Sequence, residues 1–463
     1  MPSKPPQIHT FPNGLRLVYE QHPTNMPQTH IRAFCHVGSI NEPDNIRGAS
    51  HFIEHMCFKG SQSFPSWSAV NEPFSRSGAL FNAVTTKQYT CFIVDCLDHY
   101  AHPFLKILGD MLLRSKFDKK EYKLELNVVR EEMKMRKPKS FIENLAFSGS
   151  AYANWVDHDS YHKPGCLPYK DVIDYYHQYY VPQNIVLSVV SSISFDSIIR
   201  HVSGTTFTEQ IHRLSTVAPI MNHTLGALDG HYSDCRGVKC RQSANNLKSS
   251  EDYCESNFIF KSSPGDTAEV EIGVRVCDQF KTDEFHALNI LRHIISNSMS
   301  SRLFVELREK RGLTYRSGAY MTLYETAGIF VLYAISDVDR LIKDGKSSHT
   351  GVIPVMFDIL DDLIKNGVKD SELKMAKHHI KDALKMDSIA GGDKSAYNGI
   401  RVMLHNETDI LSNKDVFDKC YKKITRGEVN EVIKKYFASR KYYFSVIGGK
   451  LPPPTVLTKF ISN

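Results

Sequence analysis

The segment 48–60, with the sequence GASHFIEHMCFKG, constrains the chain more than any other stretch. It contains the pattern His-x-x-Glu-His, which on a helix places His51 and His55 one turn apart on one face with Glu54 beside them. The apolar residues between them favour a helix, and Gly60 is a residue type at which helices commonly end. Two imidazoles at this spacing can bind one Zn²⁺ while a carboxylate is held close by.

A zinc site needs at least one further protein ligand, and the segment 121–135 (EYKLELNVVREEMKM) offers candidate carboxylates. The segment is charged and is predicted to be largely helical. Glu125 and Glu132 are seven residues apart, which is about two helical turns, so they point the same way. Glu131 is an alternative ligand, because spacing alone allows either of the two neighbours.

The order His-x-x-Glu-His followed by Glu-x6-Glu resembles the inverted zincins, the family of pitrilysin, insulysin and the mitochondrial processing peptidase. The resemblance implies that His51, His55 and Glu132 bind one zinc ion per chain. It implies that Glu54 is the general base and that Glu125 steadies the site from behind the ligands. It also favours Glu132 over its neighbour, because Glu132 keeps the seven-residue interval and precedes a methionine, as in the family pattern.

A second motif lies in the other half of the chain. The segment 300–315 (SSRLFVELREKRGLTY) is nearly identical to a family pattern whose Arg and Tyr act opposite the zinc. The resemblance therefore implies that Arg308 holds the substrate and that Tyr315 hydrogen-bonds to the oxyanion formed during peptide hydrolysis. An amphipathic helix with surface arginines suits Arg302 and Arg311 better than this matched pair.

Residues Phe81, Asn82 and Ala83 belong to a segment that the sequence alone would assign to an ordinary hairpin. In the resembled family this segment is an edge strand that binds the substrate backbone. The implied interaction is β-augmentation, in which an extended peptide pairs its amides with an open sheet edge.

The length and composition predict more than one domain. A chain of 463 residues with 41% hydrophobic and 23% charged residues is typical of a globular protein with two or three domains. Residues 213–255 are rich in Ser, Asn, Gly and charge, which is typical of a linker. We expect a zinc-binding catalytic half at 1–205, a linker at 206–256 and a second half without metal at 257–463.

The two halves show a similar order of predicted strands and helices. The second half is predicted to begin with a strand pair at 257–262 and 267–277, followed by a helix at 283–297. With the family resemblance, the expected fold class is α+β. It consists of two similar halves, each a mostly antiparallel sheet covered by helices.

Composition and charge argue against several classes of protein. The net charge of +6, from 57 basic and 51 acidic residues, gives no electrostatic case for nucleic acid. The sequence has no apolar run of about 18 residues, so no membrane span is expected. The sequence shows no signal peptide, and only ten residues precede Phe11, so we expect no cleavable mitochondrial presequence. We therefore expect a cytoplasmic protein, in preference to one of the mitochondrial matrix.

The function implied by the resemblance is that of a zinc-dependent metalloendopeptidase that cleaves extended peptides. The chain has half the length of the one-chain members, so we expect two subunits to close over the substrate. A homodimer is the default expectation, and a heterodimer is the alternative. In the expected dimer Arg308 and Tyr315 would act on the partner's zinc site.

Two other functions remain open at the sequence level. One is a targeting-peptide processing subunit of a heterodimer, and the other is a non-catalytic scaffold relative. Basic residues stand where the processing peptidases carry acidic ones, which argues against Arg-rich substrates: Lys134, Arg136, Lys137 and Lys139.

Overall fold

The computed structural model of the protein describes residues 5–22, 26–135, 141–148, 150, 152, 166–210, 253–254, 257–280, 282–342, 351–387 and 391–460. The chain divides into two compact units. The first unit comprises Met1–Lys137, Asn154–His223 and Leu384–Asp415, and the second comprises Pro138–Ala153, Thr224–Ala383 and Val416–Asn463.

The strands of the described residues are short runs rich in β-branched and aromatic side chains. In chain order they are β1 Gln7–Thr10, β2 Arg16–Gln21, β3 Gln28–Cys35, β4 Leu80–Thr85, β5 Thr90–Leu97, β6 Ile185–Ser191, β7 Tyr253–Cys254, β8 Phe258–Ser262, β9 Thr267–Val276, β10 Arg316–Leu323, β11 Gly328–Asp337 and β12 Tyr443–Gly448.

The helices of the described residues are mostly amphipathic. In chain order they are α1 Ala49–Cys57, α2 Trp67–Ser77, α3 Ala101–Leu113, α4 Lys119–Met135, α5 Ile142–Ala146, α6 Tyr169–Tyr179, α7 Phe195–Ser203, α8 Thr282–Ser296, α9 Val352–Asn366, α10 Asp370–Asp387, α11 Gly391–Leu404, α12 Asn413–Val416, α13 Arg426–Phe437 and α14 Pro454–Leu457. None of those in the described part of the chain combines the length and apolar character needed to cross a bilayer.

The two sheets have the same strand order. The first sheet runs β1-β2-β6-β3-β5-β4, and the second runs β7-β8-β12-β9-β11-β10 when read from the corresponding edge. Each contains one parallel pair, β2 with β6 and β8 with β12, and its other pairs are antiparallel. This repetition confirms the predicted α+β fold of two similar halves.

The predicted pairing of the first two strands in the second half is wrong. Segments 258–262 and 267–276 are both strands, but β12 lies between them and pairs with each. In the first half β6 separates β2 from β3 in the same way. The sequence could not reveal this arrangement, because two short apolar runs separated by a turn also fit a hairpin. The strand that separates them comes from nearly the end of each half.

Side chains of the first sheet alternate between two apolar layers, as the two-residue period of a strand requires. One face packs against α1, α3, α6 and α7, and strand residues such as Leu17 and Ile31 are fully buried there. The other face forms a smaller core that contains Val18 and Phe34 of the sheet and Val402 of α11. The face under α1 therefore supports the helix that carries the histidines.

Each sheet is covered on its second face by a helix from the other half of the chain. Helix α11 packs on β2, β3 and β6 of the first unit, and α5 packs on β8, β9 and β12 of the second. Gly399 lets α11 lie close to the sheet, because a Cβ at this position would lie 2.2 Å from the Phe34 ring. The two halves of the chain thus exchange helices in corresponding positions.

A buried polar group fixes α11 on the first sheet. The Lys394 ammonium pairs with the Glu20 carboxylate, and Asn398 donates a 2.8 Å hydrogen bond to the other Glu20 oxygen. All three side chains are buried. Buried charges are costly unless they are paired in this way, so the group specifies where α11 docks.

Candidate metal centre and substrate-binding residues

Helix α1 follows β3 in the first unit and carries the His-x-x-Glu-His pattern. Its apolar face, including Phe52, Ile53 and Met56, is fully buried in the core. His51 and His55 lie on the adjoining, partly buried face and are one turn apart. The packing of α1 therefore determines which way both imidazoles point.

Helix α4 brings a carboxylate to the two histidines. The His51 and His55 Nε2 atoms are 3.3 Å apart, and Glu132 Oε2 lies 3.7 Å from the first and 3.4 Å from the second. The neighbouring Glu131 instead pairs with Lys134 and its side chain is 71% exposed. The structure thus places Glu132, and not Glu131, beside the histidines.

The spacing of these three ligand atoms fits a zinc ion. All three lie within 4.8 Å of one another, and no other such group of three occurs in the part of the chain that the structure describes. In a tetrahedral zinc site with bonds of about 2.0–2.1 Å, ligand atoms are about 3.3–3.4 Å apart. Two of the observed separations fall in this range, and the third is a few tenths of an ångström longer.

Glu125 contacts His55 at Nδ1, the ring nitrogen on the side away from His51 and Glu132. Its Oε1 accepts a 2.8 Å hydrogen bond from His55 Nδ1, and its Oε2 pairs with the Lys59 ammonium. Burial alone would raise the pKa of Glu125, but the hydrogen bonds from His55 and Lys59 outweigh burial and hold that pKa below its ordinary value. An ionised Glu125 keeps the His55 proton on Nδ1, so Nε2 presents its lone pair to the metal position.

Sequence reasoning did not assign Lys59 to the site. It lies four residues after His55, so the same one-turn spacing that relates the two histidines also relates His55 to Lys59. That spacing is the signal that could have found it.

Glu54 is held by the edge strand of the first sheet. Its side chain is buried, and its Oε2 accepts a hydrogen bond from the Thr85 hydroxyl on β4. Thr85 follows the expected substrate-binding residues on the same strand, and the sequence gives no sign of its contact with Glu54. The hydrogen bond joins the proposed base to the strand proposed to hold the substrate.

Strand β4 forms one edge of its sheet and pairs only with β5 among the described residues. Its side chains alternate, with Asn82 exposed and Phe81 and Ala83 partly buried. Phe81 stacks on Phe74 of α2 with ring centroids 3.8 Å apart. Asn82 Oδ1 accepts a 2.8 Å hydrogen bond from the Ala83 backbone N–H. The three expected substrate-binding residues thus occupy an edge next to the strand position that contacts Glu54.

Arg308 and Tyr315 lie in the second unit. The Arg308 guanidinium is 5.5 Å from the centre of the Tyr315 ring, and Tyr315 is 87% exposed. Arg302 and Arg311, in contrast, pair with carboxylates of their own unit. Among the described residues Arg308 has no ion-pair partner, so the structure places a stacked Arg–Tyr pair at the surface of the second unit.

Helix α8 follows β9 in the second unit as α1 follows β3 in the first. It carries His286 and His293, neither of which belongs to the group of three candidate metal ligands. Burial, together with the nearby Arg292 and His379, lowers the pKa of His293 to about 3. His293 is therefore a neutral histidine packed in the interior of its unit.

The fold and the metal group together define a class of protein. It is a duplicated α+β protein with a His-x-x-Glu-His helix and a distal glutamate. A model of the insulinase family (peptidase family M16) matches residues 16–154, and a model described as the peptidase M16 inactive domain matches residues 167–380. The chain belongs to this peptidase family.

Several bacterial relatives are named zinc proteases. One is the uncharacterized zinc protease YmxG of Bacillus subtilis, which is 29% identical over 422 residues, or 88% of this chain and 91% of the relative. Another is an uncharacterized zinc protease of Streptomyces coelicolor, 24% identical over 79% of this chain and 74% of the relative.

Solved structures share the fold at lower identity. A protease from Helicobacter pylori matches 96% of this chain and 100% of its own with a TM-score of 0.76 and 16% identity. The periplasmic protease PqqL from Escherichia coli matches 100% of this chain with a TM-score of 0.75 and 15% identity, but only 50% of its own chain is covered. The protein thus corresponds in fold to one half of PqqL.

Proposed function

We propose that the protein is a zinc-dependent metalloendopeptidase. The observation that carries this proposal is the convergence of His51, His55 and Glu132 at zinc-like spacing, with the Glu54 carboxylate between the two histidines in sequence. The zinc proteases among the relatives support the same activity.

The chemistry follows from the residues around the metal position. Zn²⁺, when bound, supplies a Lewis acid that polarises the peptide carbonyl and lowers the pKa of water. The Glu54 carboxylate takes the proton of the attacking water and later delivers it to the leaving amine. The Thr85 hydroxyl fixes the orientation of that carboxylate, so the base is in place before the substrate binds.

The proposed substrate is an extended peptide or an unfolded segment. The open edge of β4 offers backbone groups for β-augmentation, which binds peptides with little reading of their sequence. Glu143 does not serve as an acidic recognition residue in this proposal, since both its oxygens accept hydrogen bonds from Thr322 and Tyr324. Cleavage without a requirement for arginine near the scissile bond is therefore expected.

The proposed assembly is a homodimer. The chain matches half of PqqL, which supports an active form with two copies of the fold. In this proposal Arg308 holds the substrate and the Tyr315 hydroxyl stabilises the oxyanion, each acting on the partner's zinc site. The exposure of Tyr315 is consistent with a role outside its own unit.

Replacing Glu54 with Gln tests the catalytic proposal. The amide cannot accept the proton of water, so peptide cleavage is expected to fall by at least about 100-fold, while zinc is retained. Glu72→Gln on α2 is a matched control, because Glu72 pairs with Arg76 in an exposed helical pair. Turnover by Glu54→Gln close to that of the wild type would show that Glu54 is not the base.

Mixing two inactive variants tests the dimer. Glu54→Gln lacks the base and Tyr315→Phe lacks the oxyanion donor, so a mixed dimer contains one intact site. Recovery of peptide cleavage after subunit exchange is expected. If exchange is demonstrated with labelled chains and no activity returns, the two residues do not act across subunits.

A further inference from the structure

We propose that Glu42 is a positioning residue for the metal centre, because its buried carboxylate fixes the first turn of α1 and so the direction of His51. The sequence alone indicates no role for Glu42. The inference rests on the proposed function for the identity of His51 as a zinc ligand.

The contacts of Glu42 are made with the backbone of α1. Its Oε2 accepts a 2.7 Å hydrogen bond from the Gly48 N–H, and its Oε1 accepts a 2.8 Å hydrogen bond from the Ser50 N–H. The residue is only 8% exposed. One carboxylate thus binds two N–H groups that have no partner within the helix.

Helix α1 needs this external partner because its own N-cap residue cannot supply one. The N-cap is Gly48, with a φ of 93°, a left-handed conformation that favours glycine, and it has no side chain to accept a hydrogen bond. N-cap positions are normally filled by side chains with an acceptor oxygen, such as Ser or Asp. Glu42, six residues upstream, takes over that role and adds a negative charge at the positive end of the helix.

The position of His51 makes this cap functionally important. Helix α1 has nine residues, and His51 is the third of them, so it belongs to the first turn. Fraying of that turn moves the His51 imidazole while leaving His55, which lies one turn further on, in place. Glu125 orients His55 through its ring, and Glu42 acts on His51 by a different route, through the backbone.

A second contact strengthens the same turn. The Ser50 hydroxyl lies 3.1 Å from the Tyr175 hydroxyl of α6, and both side chains are buried. Ser50 is therefore held at its backbone N–H by Glu42 and at its side chain by Tyr175. Since Ser50 immediately precedes His51, both contacts act on the same residue of the metal centre.

The substitution Glu42→Gln distinguishes a role of Glu42 in positioning His51 from a role in folding. Gln has the same shape but accepts at only one oxygen, and its NH₂ group faces a backbone N–H that also donates. Zinc affinity is expected to fall by about tenfold, as for other residues that support metal ligands. It is measured by competition with a chromogenic chelator on the full chain. Burial raises the pKa of Glu42 to about 7, so the measurement is made at about pH 8.5, where the carboxylate is ionised.

Co²⁺ provides a spectroscopic readout of geometry at the same site. The visible spectrum of the Co²⁺-loaded Glu42→Gln protein is expected to shift toward that of His51→Ala, while the metal-free protein melts near the wild-type temperature. Glu72→Gln is the control and should match the wild type in both measurements. Glu42→Asp, which is too short to reach both N–H groups, is a second variant with the same expected direction.

Three outcomes would overturn the proposal. Wild-type zinc affinity in Glu42→Gln would show that the cap does not act on the metal. An unchanged Co²⁺ spectrum together with a lower melting temperature of the metal-free protein would show a general structural role. Failure of the wild-type protein to bind zinc at all would remove the proposed function and this inference together, which distinguishes it from the first two results.

Discussion

Replacing Glu125 with Gln is expected to weaken zinc binding without removing any zinc ligand. Glu125 is 4% exposed, and its two oxygens bind His55 Nδ1 and the Lys59 ammonium. Gln preserves the shape of the side chain and can still accept from His55 through Oε1. Its NH₂ group then faces the Lys59 ammonium, so a charged hydrogen bond is replaced by a contact between two donors.

The size of the effect can be worked from these contacts. Hydrogen bonds to charged groups contribute about 1.5–3 kcal/mol each. Zinc binding depends on the share of this energy that serves to orient His55. Outer partners of metal ligands commonly change affinity by about 10–100-fold, equivalent to about 1.4–2.8 kcal/mol. We expect the loss of zinc affinity in Glu125→Gln to lie in this range when it is measured by chelator competition.

Glu131→Gln is the matched control for this experiment. It lies on the same helix, next to Glu132, but its side chain is mostly exposed and pairs with Lys134. Exposed pairs of this kind contribute little, so its zinc affinity should equal that of the wild type. A Glu125→Gln protein that binds zinc within about threefold of the control would refute the claim that Glu125 orients His55.

The remaining predictions concern the fold. A single cut within residues 210–252 should leave the two pieces associated on size-exclusion chromatography, because α5 and α11 each belong to the unit formed mainly by the other half; separate elution would contradict the exchange. Gly399→Ala should lower the free energy of unfolding by about 1–3 kcal/mol, since its Cβ would press on Phe34. Gly427→Ala, where a Cβ has space, should be neutral or stabilising, and equal effects would refute the packing argument. In the metal-free wild-type protein, His293 should make the free energy of unfolding fall as the pH drops from about 6 to 4. His293→Leu should reduce the slope of that fall by up to about 1.4 kcal/mol per pH unit. The reason is that the unfolded chain binds a proton below about pH 6.5, whereas folded His293, with a pKa of about 3, does not. Equal slopes would contradict this.

The parts of the site that depend on helical spacing could be predicted from the sequence. His51 and His55 are one turn apart and Glu125 and Glu132 two turns apart, so each pair shares a face whatever the rest of the fold does. Bringing α1 and α4 together required the family resemblance, because spacing within a helix says nothing about its neighbours. The contact between Thr85 and Glu54 could not be predicted, since it depends on where an edge strand lies beside α1.

For the fold, too, single strands could be predicted from the sequence, but the packing of distant elements could not. Segments 258–262 and 267–276 could be recognised as strands from their apolar side chains, but their separation by β12 could not. The exchange of α5 and α11 could not be predicted from the sequence either, because the pattern of an amphipathic helix does not specify which sheet it covers. Gly399 and Lys394 become informative only once α11 is known to lie on the first sheet.

The central claim is that His51, His55 and Glu132 form one zinc site per chain, and the zinc content of His55→Ala tests it most directly. Purified wild-type and variant proteins are loaded with zinc, dialysed, and analysed by elemental mass spectrometry, with circular dichroism as a check on folding. We predict close to one zinc ion per wild-type chain and almost none in the folded variant. Equal, stoichiometric zinc in both proteins would contradict the assignment.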